Sequence, residues 1–428
     1  MFARLGRLRG AGAITVLQTL SKGLAFLREL LVAALFGASK WVDAFVVAVA
    51  LYSLFAPLIS DALQTLATPV LSKLHGKDTG AEHKVSSDYL RVNLLAFAAL
   101  TLAAFALLEP LIGLLAAGLP QATRALIAGY AWLLLPFGLL TALQGLLTSQ
   151  LNAQEKYGLS ELVLLVMNVA VLGFLYVLAR VTYSFALPLS LSLGAVVGLL
   201  LFVLVVRPRI RLGPLDNRVK ASFAMLPAML SGYGLVQVNI LVDRYFASSL
   251  PTGSIAAISY ANKLTFLPLS VVVAGVIAIS FVGFSKADTL HSALAILKKS
   301  SLLTVALLAP FALLLGLFAY PVTRLLYFRG AFDLHALELT SQALQVLSLA
   351  IVPLGLAQVF QKFLYAHQDS RSVLAASLLS VVSAVACNFA LVPLYGMTGL
   401  LWATVIANVV LDAALLTFIW QRARREVV

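Results

Sequence analysis

The sequence predicts an all-α polytopic membrane protein with about twelve transmembrane helices in two six-helix, pseudo-symmetric lobes. Three observations support this fold class. Hydrophobic residues make up 61% of the 428 residues and charged residues only 11%, whereas a soluble domain has about 45–50% apolar and about 25% charged residues. Long apolar runs recur along the chain, and its two halves share short motifs at similar positions. We therefore expect no large soluble domain.

The apolar runs match the thickness of a bilayer. A hydrocarbon core of about 30 Å is crossed by about 20 helical residues. On this basis we predict spans near residues 13–36, 42–70, 90–117, 124–150, 160–180, 183–206, 221–249, 253–285, 300–327, 337–365, 372–394 and 397–420. Prolines inside these spans, such as Pro57 and Pro353, are tolerated where neighbouring helices satisfy the freed backbone groups.

Two motifs recur about half a chain length apart. The segments that begin at Pro136 and Pro353 both read P-x-G-L-x4-Q and end at Gln144 and Gln361. An FGAS segment in the first half and an FASS segment in the second half are separated by a similar distance. This agreement indicates duplication of a six-helix unit, an arrangement typical of transporters with a central site between two lobes.

The duplication predicts the domain organisation. The N-terminal lobe covers residues 1–206 and spans one to six, and the C-terminal lobe covers residues 221–428 and spans seven to twelve. The hinge between them, residues 207–220, is basic and contains two prolines. Lys and Arg accumulate on the side of the spans that carries this hinge, which marks the cytoplasmic side. Both termini are therefore predicted to be cytoplasmic, and the net charge of +13 reflects topology rather than nucleic-acid binding.

The residue types that carry most enzyme and metal chemistry are sparse. Cys387 is the single cysteine, and the five histidines lie in loops or at helix ends without paired-ligand spacing. There is no Ser-His-Asp set, acidic metal-binding cluster or glycine-rich phosphate loop. We expect no catalytic residues, no metal and no cofactor, and hence a protein that is not an enzyme.

Ionisable residues inside the predicted spans are the main functional signal. A charged side chain at the centre of a bilayer costs at least about 2.5–3.5 kcal/mol, and such residues usually face a partner or a water-filled cavity. The candidates for substrate binding are Lys22, Arg28, Glu29, Asp43, Asp61, Arg244 and Lys263. Asp243 and Asp412 are candidates for ion coupling.

The basic candidates come from the opening hairpin of each half. If the lobes face each other, these residues line one cleft and attract an anion, because Arg offers phosphate a fork of donors and Lys a point charge. Arg28 points about 100° away from Glu29 on a helix, so it could serve a different wall of the cleft.

Structural roles remain open for several candidates. Lys22 could snorkel to a surface, and Asp243 with Arg244 could be a charged pair at a helix end. Asp43 could cap the second span, since Asp is a preferred N-cap residue. For Asp412 a structural or ion-site role is the favoured interpretation.

The opening hairpin resembles the MurJ-type lipid II flippases, which share a superfamily with MATE drug antiporters and Wzx-type flippases. The resemblance rests on Lys22, the Arg28-Glu29 pair, the FGA segment and the D-A-F motif at Asp43. It extends to Lys263 in span eight and to the Tyr-x-x-Gln-Asp motif that begins at Tyr365. Nearly the whole chain aligns with the first twelve helices of that family.

Three features depart from that family. Members of the family often have fourteen helices, whereas twelve are predicted here. The positions of the family's Arg pair in span two are occupied by Ala56 and Pro57. Lys stands in place of Arg at positions 22 and 263. These differences affect the identity of the transported head group more than the class of transporter.

The resemblance implies an alternating-access flippase of the bacterial inner membrane. Its cargo would be a polyprenyl-diphosphate-linked saccharide, with lipid II for peptidoglycan synthesis as the first hypothesis. Alternatives are a Wzx-like flippase for exopolysaccharide or O-antigen units and a MATE-like cation-coupled drug antiporter. A cleft with several Lys and Arg residues repels cations, which disfavours the antiporter. We expect membrane potential or an H⁺ or Na⁺ gradient as the energy source, membrane lipids as partners, no nucleic acid, and a monomer.

Overall fold

A computed structural model describes residues 11–54, 56–286 and 289–425. Over these residues the chain is helical and contains no β-strand. The α-helices are α1 (Ala11–Phe36), α2 (Lys40–Ser53), α3 (Ala56–Leu74), α4 (Thr79–Leu115), α5 (Gln121–Ala153), α6 (Tyr157–Val181), α7 (Ala186–Val206), α8 (Asn217–Ser222), α9 (Leu226–Ala247), α10 (Ser254–Lys286), α11 (Leu290–Leu317), α12 (Ala319–Tyr327), α13 (Leu334–Leu347), α14 (Ile351–Ala366) and α15 (Ser370–Arg425). The predicted all-α fold class is confirmed.

The chain divides into two compact units. Unit 1 comprises Met1–Leu35 and Ala44–Gln237, and unit 2 comprises Phe36–Asp43 and Val238–Val428. A short segment of the first hairpin thus belongs to the unit formed by the second half of the chain. The predicted boundaries, with a hinge at residues 207–220, stay a prediction.

The core of unit 1 is formed by α3, α4, α5 and α7. Leu66, Tyr89, Leu147 and Phe202 belong to one buried cluster. The Tyr89 hydroxyl donates to the hydroxyl of Ser222 at 2.8 Å and lies 3.3 Å from the carbonyl oxygen of Leu66. These contacts satisfy the polar end of a fully buried ring.

The core of unit 2 is formed by α10, α11, α14 and α15. Phe284, Phe363 and Leu415 lie in its main buried cluster, and the two rings meet edge to face at 5.4 Å between centroids. Gly396, at φ 55°, interrupts α15. The hydroxyl of Ser380 donates to the carbonyl of Ala407 at 2.8 Å, which shows that the chain folds back on itself at this glycine.

The turn between α5 and α6 and the turn between α14 and α15 have the same backbone hydrogen bonds. Glu155 and Gln368 each adopt φ 58°. The next residue in each turn donates its N–H to a carbonyl five positions back, Lys156 to Leu151 at 2.8 Å and Asp369 to Leu364 at 2.9 Å. These are helix C-caps of the Schellman type, and they immediately follow the helices that carry the predicted sequence repeat. The same local geometry at equivalent positions of the two units supports an internal duplication.

Seven helices in the described ranges are long and apolar enough to cross a membrane, or eight if the bent pair within α4 counts as one span. Many of their large apolar side chains are exposed, including Leu200 and Leu204 on α7 and Leu313 on α11. Exposed apolar surface of this kind fits contact with lipid. The predicted total of twelve spans stays a prediction. The predicted cytoplasmic termini lie outside the described residues.

Candidate functional site

In unit 1, α1 carries three of the predicted site residues. Nη2 of Arg28 donates to Oε1 of Glu29 at 2.9 Å, and these side chains are 27% and 15% exposed. Lys22, nearer the start of the helix, is exposed. Neighbours on a helix start about 100° apart, but these two side chains are long enough to turn towards each other. Arg28 and Glu29 thus form a direct ion pair, and the interpretation that they serve different walls of the cleft stays a prediction.

The fourth predicted residue of unit 1, Asp61, lies half-buried on α3. Its charge acts on the hydroxyl of Tyr52, which lies 3.2 Å from the hydroxyl of Thr141. Gly145 lies one helical turn after Thr141 on α5 and packs closely against α3. An added Cβ at this position would lie 3.1 Å from the Ser60 hydroxyl. The small residue lets α5 approach the polar face of α3.

In unit 2, Asp43 binds the start of α10 with both carboxylate oxygens. Oδ2 accepts the N–H of Gly253 at 2.6 Å and Oδ1 accepts the N–H of Ala256 at 2.7 Å, and the side chain is 1% exposed. A carboxylate in this position satisfies N–H groups that a helix cannot satisfy internally. Capping of the second span was one of the roles left open for Asp43; in the structure its carboxylate caps α10 instead of α2, the helix that contains it.

Asp43 and Gly253 form a small cluster with Gly37 and Tyr260. We call these four residues the clasp. The Tyr260 hydroxyl donates to the carbonyl of Gly37 at 2.9 Å. An added Cβ on Gly253 would lie 2.6 Å from the carbonyl oxygen of Ala38. Gly37 and Gly253 also adopt positive φ angles of 60° and 92°, which glycine tolerates best. The clasp thus joins residues 36–43 to the start of α10 within unit 2.

Asp243 and Arg244 lie next to each other on α9, both partly buried. The charges of Asp243 and Asp43 both act on the Arg244 guanidinium. The side chain of Asn388 on α15 lies beside Asp243 and is only 1% exposed. The Asn388 amide interacts with the Asp243 carboxylate, but neither amide atom, nor Nε of Arg244, makes a hydrogen bond of good geometry within the described part of the chain. Asp243, Arg244 and Asn388 therefore form a charged and polar group with hydrogen-bonding capacity left for a ligand.

The remaining predicted residues of unit 2 lie in different surroundings. Lys263, on α10, is exposed. Asp412, on the second limb of α15, is 9% exposed, and its Oδ1 has no hydrogen-bond partner among the residues that the structure describes. The contact between Ser380 and Ala407 sets the register of the two limbs. In that register Asp412 lies opposite the first turns of α15, well away from Asn388.

Two local groups follow from these contacts. Unit 1 brings Arg28 and Glu29 together, and unit 2 brings Asp43, Asp243 and Arg244 together. The residue that sequence reasoning missed is Asn388. Its signal was present, because an amide side chain in the middle of an apolar run of α15 is costly unless it has a partner.

The sequence model of the lipid II flippase MurJ family matches residues 32–428. The chain belongs to this family. The lipid II flippase MurJ of Burkholderia cenocepacia is 26% identical over 402 residues, which cover 89% of this chain and 77% of that protein. The predicted family resemblance is therefore confirmed.

Solved structures show the same fold in MurJ and MATE proteins. A lipid II flippase MurJ in an inward closed conformation matches with a TM-score of 0.80 and 20% identity, covering 95% of this chain and 87% of that one. A multidrug resistance MATE transporter of the MOP superfamily, in an inward-facing conformation, matches with a TM-score of 0.79 and 14% identity, covering 99% and 97%. The chain is thus a multi-pass bacterial membrane protein with the MOP fold.

Proposed function

We propose that this protein is a lipid II flippase that works by alternating access. It moves the polyprenyl-diphosphate-linked saccharide from the cytoplasmic to the outer leaflet of the bacterial inner membrane, for peptidoglycan synthesis. Membership of the MurJ family supports the reaction class. The protein transports its cargo without covalent chemistry and acts as a monomer with both termini on the cytoplasmic side.

The observation that carries the proposal is the state of Arg28. Its guanidinium makes one hydrogen bond to Glu29 within the described part of the chain, out of five N–H donors. The side chain is only partly exposed, on a helix that is apolar on either side of it. The remaining donors can bind phosphate oxygens in the two-pronged geometry that guanidinium favours. Glu29 holds the guanidinium in place and lowers the cost of its burial while no cargo is bound.

We assign the other predicted residues to the same cargo. Lys22 and Lys263 are exposed cations that provide point charges for the diphosphate, and Arg244 contributes a second guanidinium. Asp61 balances these cations in the empty transporter, and Asp43 fixes the start of α10, the helix that carries Lys263. A cation is a poor cargo for such a set, since like charges repel strongly at low dielectric. This argument favours an anionic lipid over the substrates of drug antiporters.

We further propose that an ion gradient or the membrane potential drives the cycle, without an organic cofactor. Asp243 and Asn388 offer a carboxylate and an amide oxygen, the ligand types that hard cations prefer. Asp412 is a second carboxylate whose Oδ1 lacks a partner in the described ranges, and it could hold a proton or a cation during the cycle.

Flipping in liposomes tests the role of Arg28. The purified protein should translocate lipid II, and Arg28→Gln should slow translocation by about 10- to 150-fold, the equivalent of one lost hydrogen bond to a charged group of about 1.5–3 kcal/mol. Arg28→Lys should retain part of the rate, because it keeps the charge but loses the fork. The matched control is Arg180→Gln, which removes a guanidinium stacked on Tyr176 in unit 1.

Complementation tests the identity of the cargo. The wild-type gene should rescue a strain depleted of its lipid II flippase, and Arg28→Gln should not. Unchanged flipping by Arg28→Gln would overturn the assignment of this residue. A well-expressed wild-type protein that fails to rescue, but flips another polyprenyl-diphosphate glycolipid in liposomes, would overturn the assignment of lipid II.

A further inference from the structure

The segment between α7 and α8 is held to the rest of unit 1 by polar side chains of α4. The Ser87 hydroxyl, on a residue with 0% exposure, accepts the N–H of Arg211 at 2.6 Å and lies 3.2 Å from the carbonyl oxygen of the same residue. Arg91 donates to the carbonyl of Gly213 at 2.7 Å, and Asp88 accepts the N–H of Asp216 at 2.8 Å. All of these bonds engage the backbone of the segment. Its own side chains are left to face outwards.

The outward-facing side chains of residues 207–212 alternate between cationic and apolar. Arg207, Arg209 and Arg211 are exposed. Ile210, which is 59% exposed, lies between Arg209 and Arg211, and Leu212, which is 89% exposed, follows Arg211. A segment that binds only water-soluble anions has no need for two large aliphatic side chains in solvent. Alternating Arg and aliphatic residues are instead suited to the boundary between headgroups and acyl chains.

The position of the segment supports the same interpretation. It begins directly where α7, one of the membrane-spanning candidates, ends. The last turns of α7 present Leu200 and Leu204, which are 58% and 68% exposed. Arg207 adopts a left-handed conformation at the end of the helix, with φ 52°. Exposed apolar side chains therefore occur both on the last turns of the span and in the segment that follows it.

A second group of cations adjoins the segment. Lys84, Arg218 and Lys220 line an open cleft together with Asp216 and Asn217. Asp216 already accepts the N–H of Arg218 at 3.0 Å, and the Nε of Arg218 lies 4.0 Å from the same oxygen. One carboxylate thus faces three cations in this cleft, which leaves the surface with an excess of positive charge.

We propose that residues 207–213, together with Lys84, Arg218 and Lys220, form a binding surface for the headgroups of anionic phospholipids. The arginines bind lipid phosphates, and Ile210 and Leu212 insert beside the acyl chains that surround the end of α7. Clusters of four to eight Lys and Arg residues next to a transmembrane helix are typical of such surfaces. The surface is separate from the cargo site and does not depend on which glycolipid is flipped.

Native mass spectrometry of the full chain in detergent tests this surface. The protein is titrated with phosphatidylglycerol and, in parallel, with phosphatidylcholine. Each Lys or Arg near an anionic membrane contributes about a fivefold factor in affinity. The variant R207Q/R209Q/R211Q should therefore bind phosphatidylglycerol at least about tenfold more weakly, with unchanged binding of phosphatidylcholine. These three side chains are exposed, so the variant should keep its thermal unfolding midpoint.

The matched control is K298Q/K299Q/R371Q, which removes the same charge from exposed positions of unit 2. It should change the affinity for phosphatidylglycerol by less than twofold. An equal loss in both variants would reduce the effect to net charge and overturn the proposal. Unchanged lipid binding by the linker variant would also overturn it and would indicate that the basic segment binds a soluble partner instead.

A second measurement addresses insertion directly. A Leu212→Cys variant in a Cys387→Ala background carries an environment-sensitive dye at position 212. In nanodiscs that contain phosphatidylglycerol its emission should shift to shorter wavelength than in pure phosphatidylcholine nanodiscs, and R207Q/R209Q/R211Q should abolish the difference. Identical emission in both kinds of nanodisc would contradict insertion at an anionic surface.

Discussion

Two polar regions of unit 2 each contain an aspartate and differ in how many of their polar atoms form hydrogen bonds. In the clasp, both oxygens of Asp43 accept backbone N–H groups and the Tyr260 hydroxyl donates to a carbonyl. In the second region, which comprises Asp243, Arg244 and Asn388, neither Nε of Arg244 nor either amide atom of Asn388 makes a hydrogen bond of good geometry among the described residues. The same is true of Oδ1 of Asp412, which lies elsewhere in unit 2.

The difference distinguishes polar groups that build the fold from those available to a ligand. A buried polar group with all its bonds formed stabilises one backbone arrangement, whereas one without a partner carries a desolvation cost of about 1–3 kcal/mol. A protein that retains such a cost gains something else from the residue, such as binding of an ion. The clasp should therefore respond to mutation in stability, and the second region in transport.

The largest effect is expected for Asp43→Ala. This change removes two hydrogen bonds to a charged acceptor, each of which contributes about 1.5–3 kcal/mol, and leaves the N–H groups of Gly253 and Ala256 without that partner. Unfolding of the detergent-solubilised protein should occur at a markedly lower temperature. The control is Asp333→Ala, which removes one cap bond, to Ala336, and should cost about 0.5–2 kcal/mol. Equal destabilisation by both variants would contradict the special role of the clasp.

The next effect is expected for Gly37→Ala. The added methyl group would collide with the backbone carbonyl of Ala331, which cannot move like a side chain. Gly76→Ala is the control, because Gly76 has a similar φ of 73° but nothing within 4 Å of an added Cβ. We expect Gly37→Ala to exceed Gly76→Ala in destabilisation by about 1–3 kcal/mol, a typical penalty for overpacking. Matching unfolding midpoints would show that only the φ angle matters at Gly37.

For Asn388→Leu we expect transport to fall while stability is maintained or increased. Neither amide atom makes a hydrogen bond of good geometry within the described chain, so removing the amide can recover part of the desolvation cost of about 1–3 kcal/mol. Flipping measured with and without a Na⁺ gradient should lose its dependence on the gradient. The control is Asn93→Leu, in which the amide donates to the Ala142 carbonyl at 3.1 Å and whose loss should destabilise. Strong destabilisation by Asn388→Leu would place Asn388 with the clasp.

The smallest effect on stability is expected for Asp412→Asn. A neutral amide of the same shape replaces a carboxylate whose Oδ1 has no partner in the described ranges, so the change should stay within about 1 kcal/mol. Asp43→Asn, which turns an N–H group towards a backbone N–H, should be clearly more destabilising. If Asp412 couples an ion, its variant should flip lipid without the normal dependence on the proton or Na⁺ gradient. Normal coupling in this variant would leave Asp412 a structural residue.

The fold class followed from local features of the sequence. Apolar runs and their charge content indicated a polytopic helical protein, because a helix in lipid must satisfy its own backbone. The repeated P-x-G-L-x4-Q motif indicated duplication, and the matching turns at Glu155 and Gln368 have the same backbone bonds. The broken helices resisted prediction, because the position of a break such as Gly396 depends on packing as much as on residue type.

The site was predicted less completely than the fold. The sequence left Asp43 open between substrate binding and capping of its own span, because its N–H partner on Gly253 lies 210 residues further along the chain, at a distance for which no spacing rule exists. It also identified Arg28 and Glu29 without their ion pair, because helical angles describe the backbone rather than the reach of long side chains. Asn388 escaped attention because a neutral amide has a weaker signal than a charge.

By itself, the sequence determined that this protein is a duplicated helical membrane protein of the MurJ type with charges placed at membrane depth. Those properties depend on composition, on helical length and on residues close together in the chain. Only the tertiary structure decided which buried polar atoms are bonded and which are available, since the partner of each comes from a distant segment whose position is set by packing. Asp43 in the clasp and Asp243 in the second region are the same kind of side chain, and their surroundings alone make one structural and the other a candidate for ligand binding.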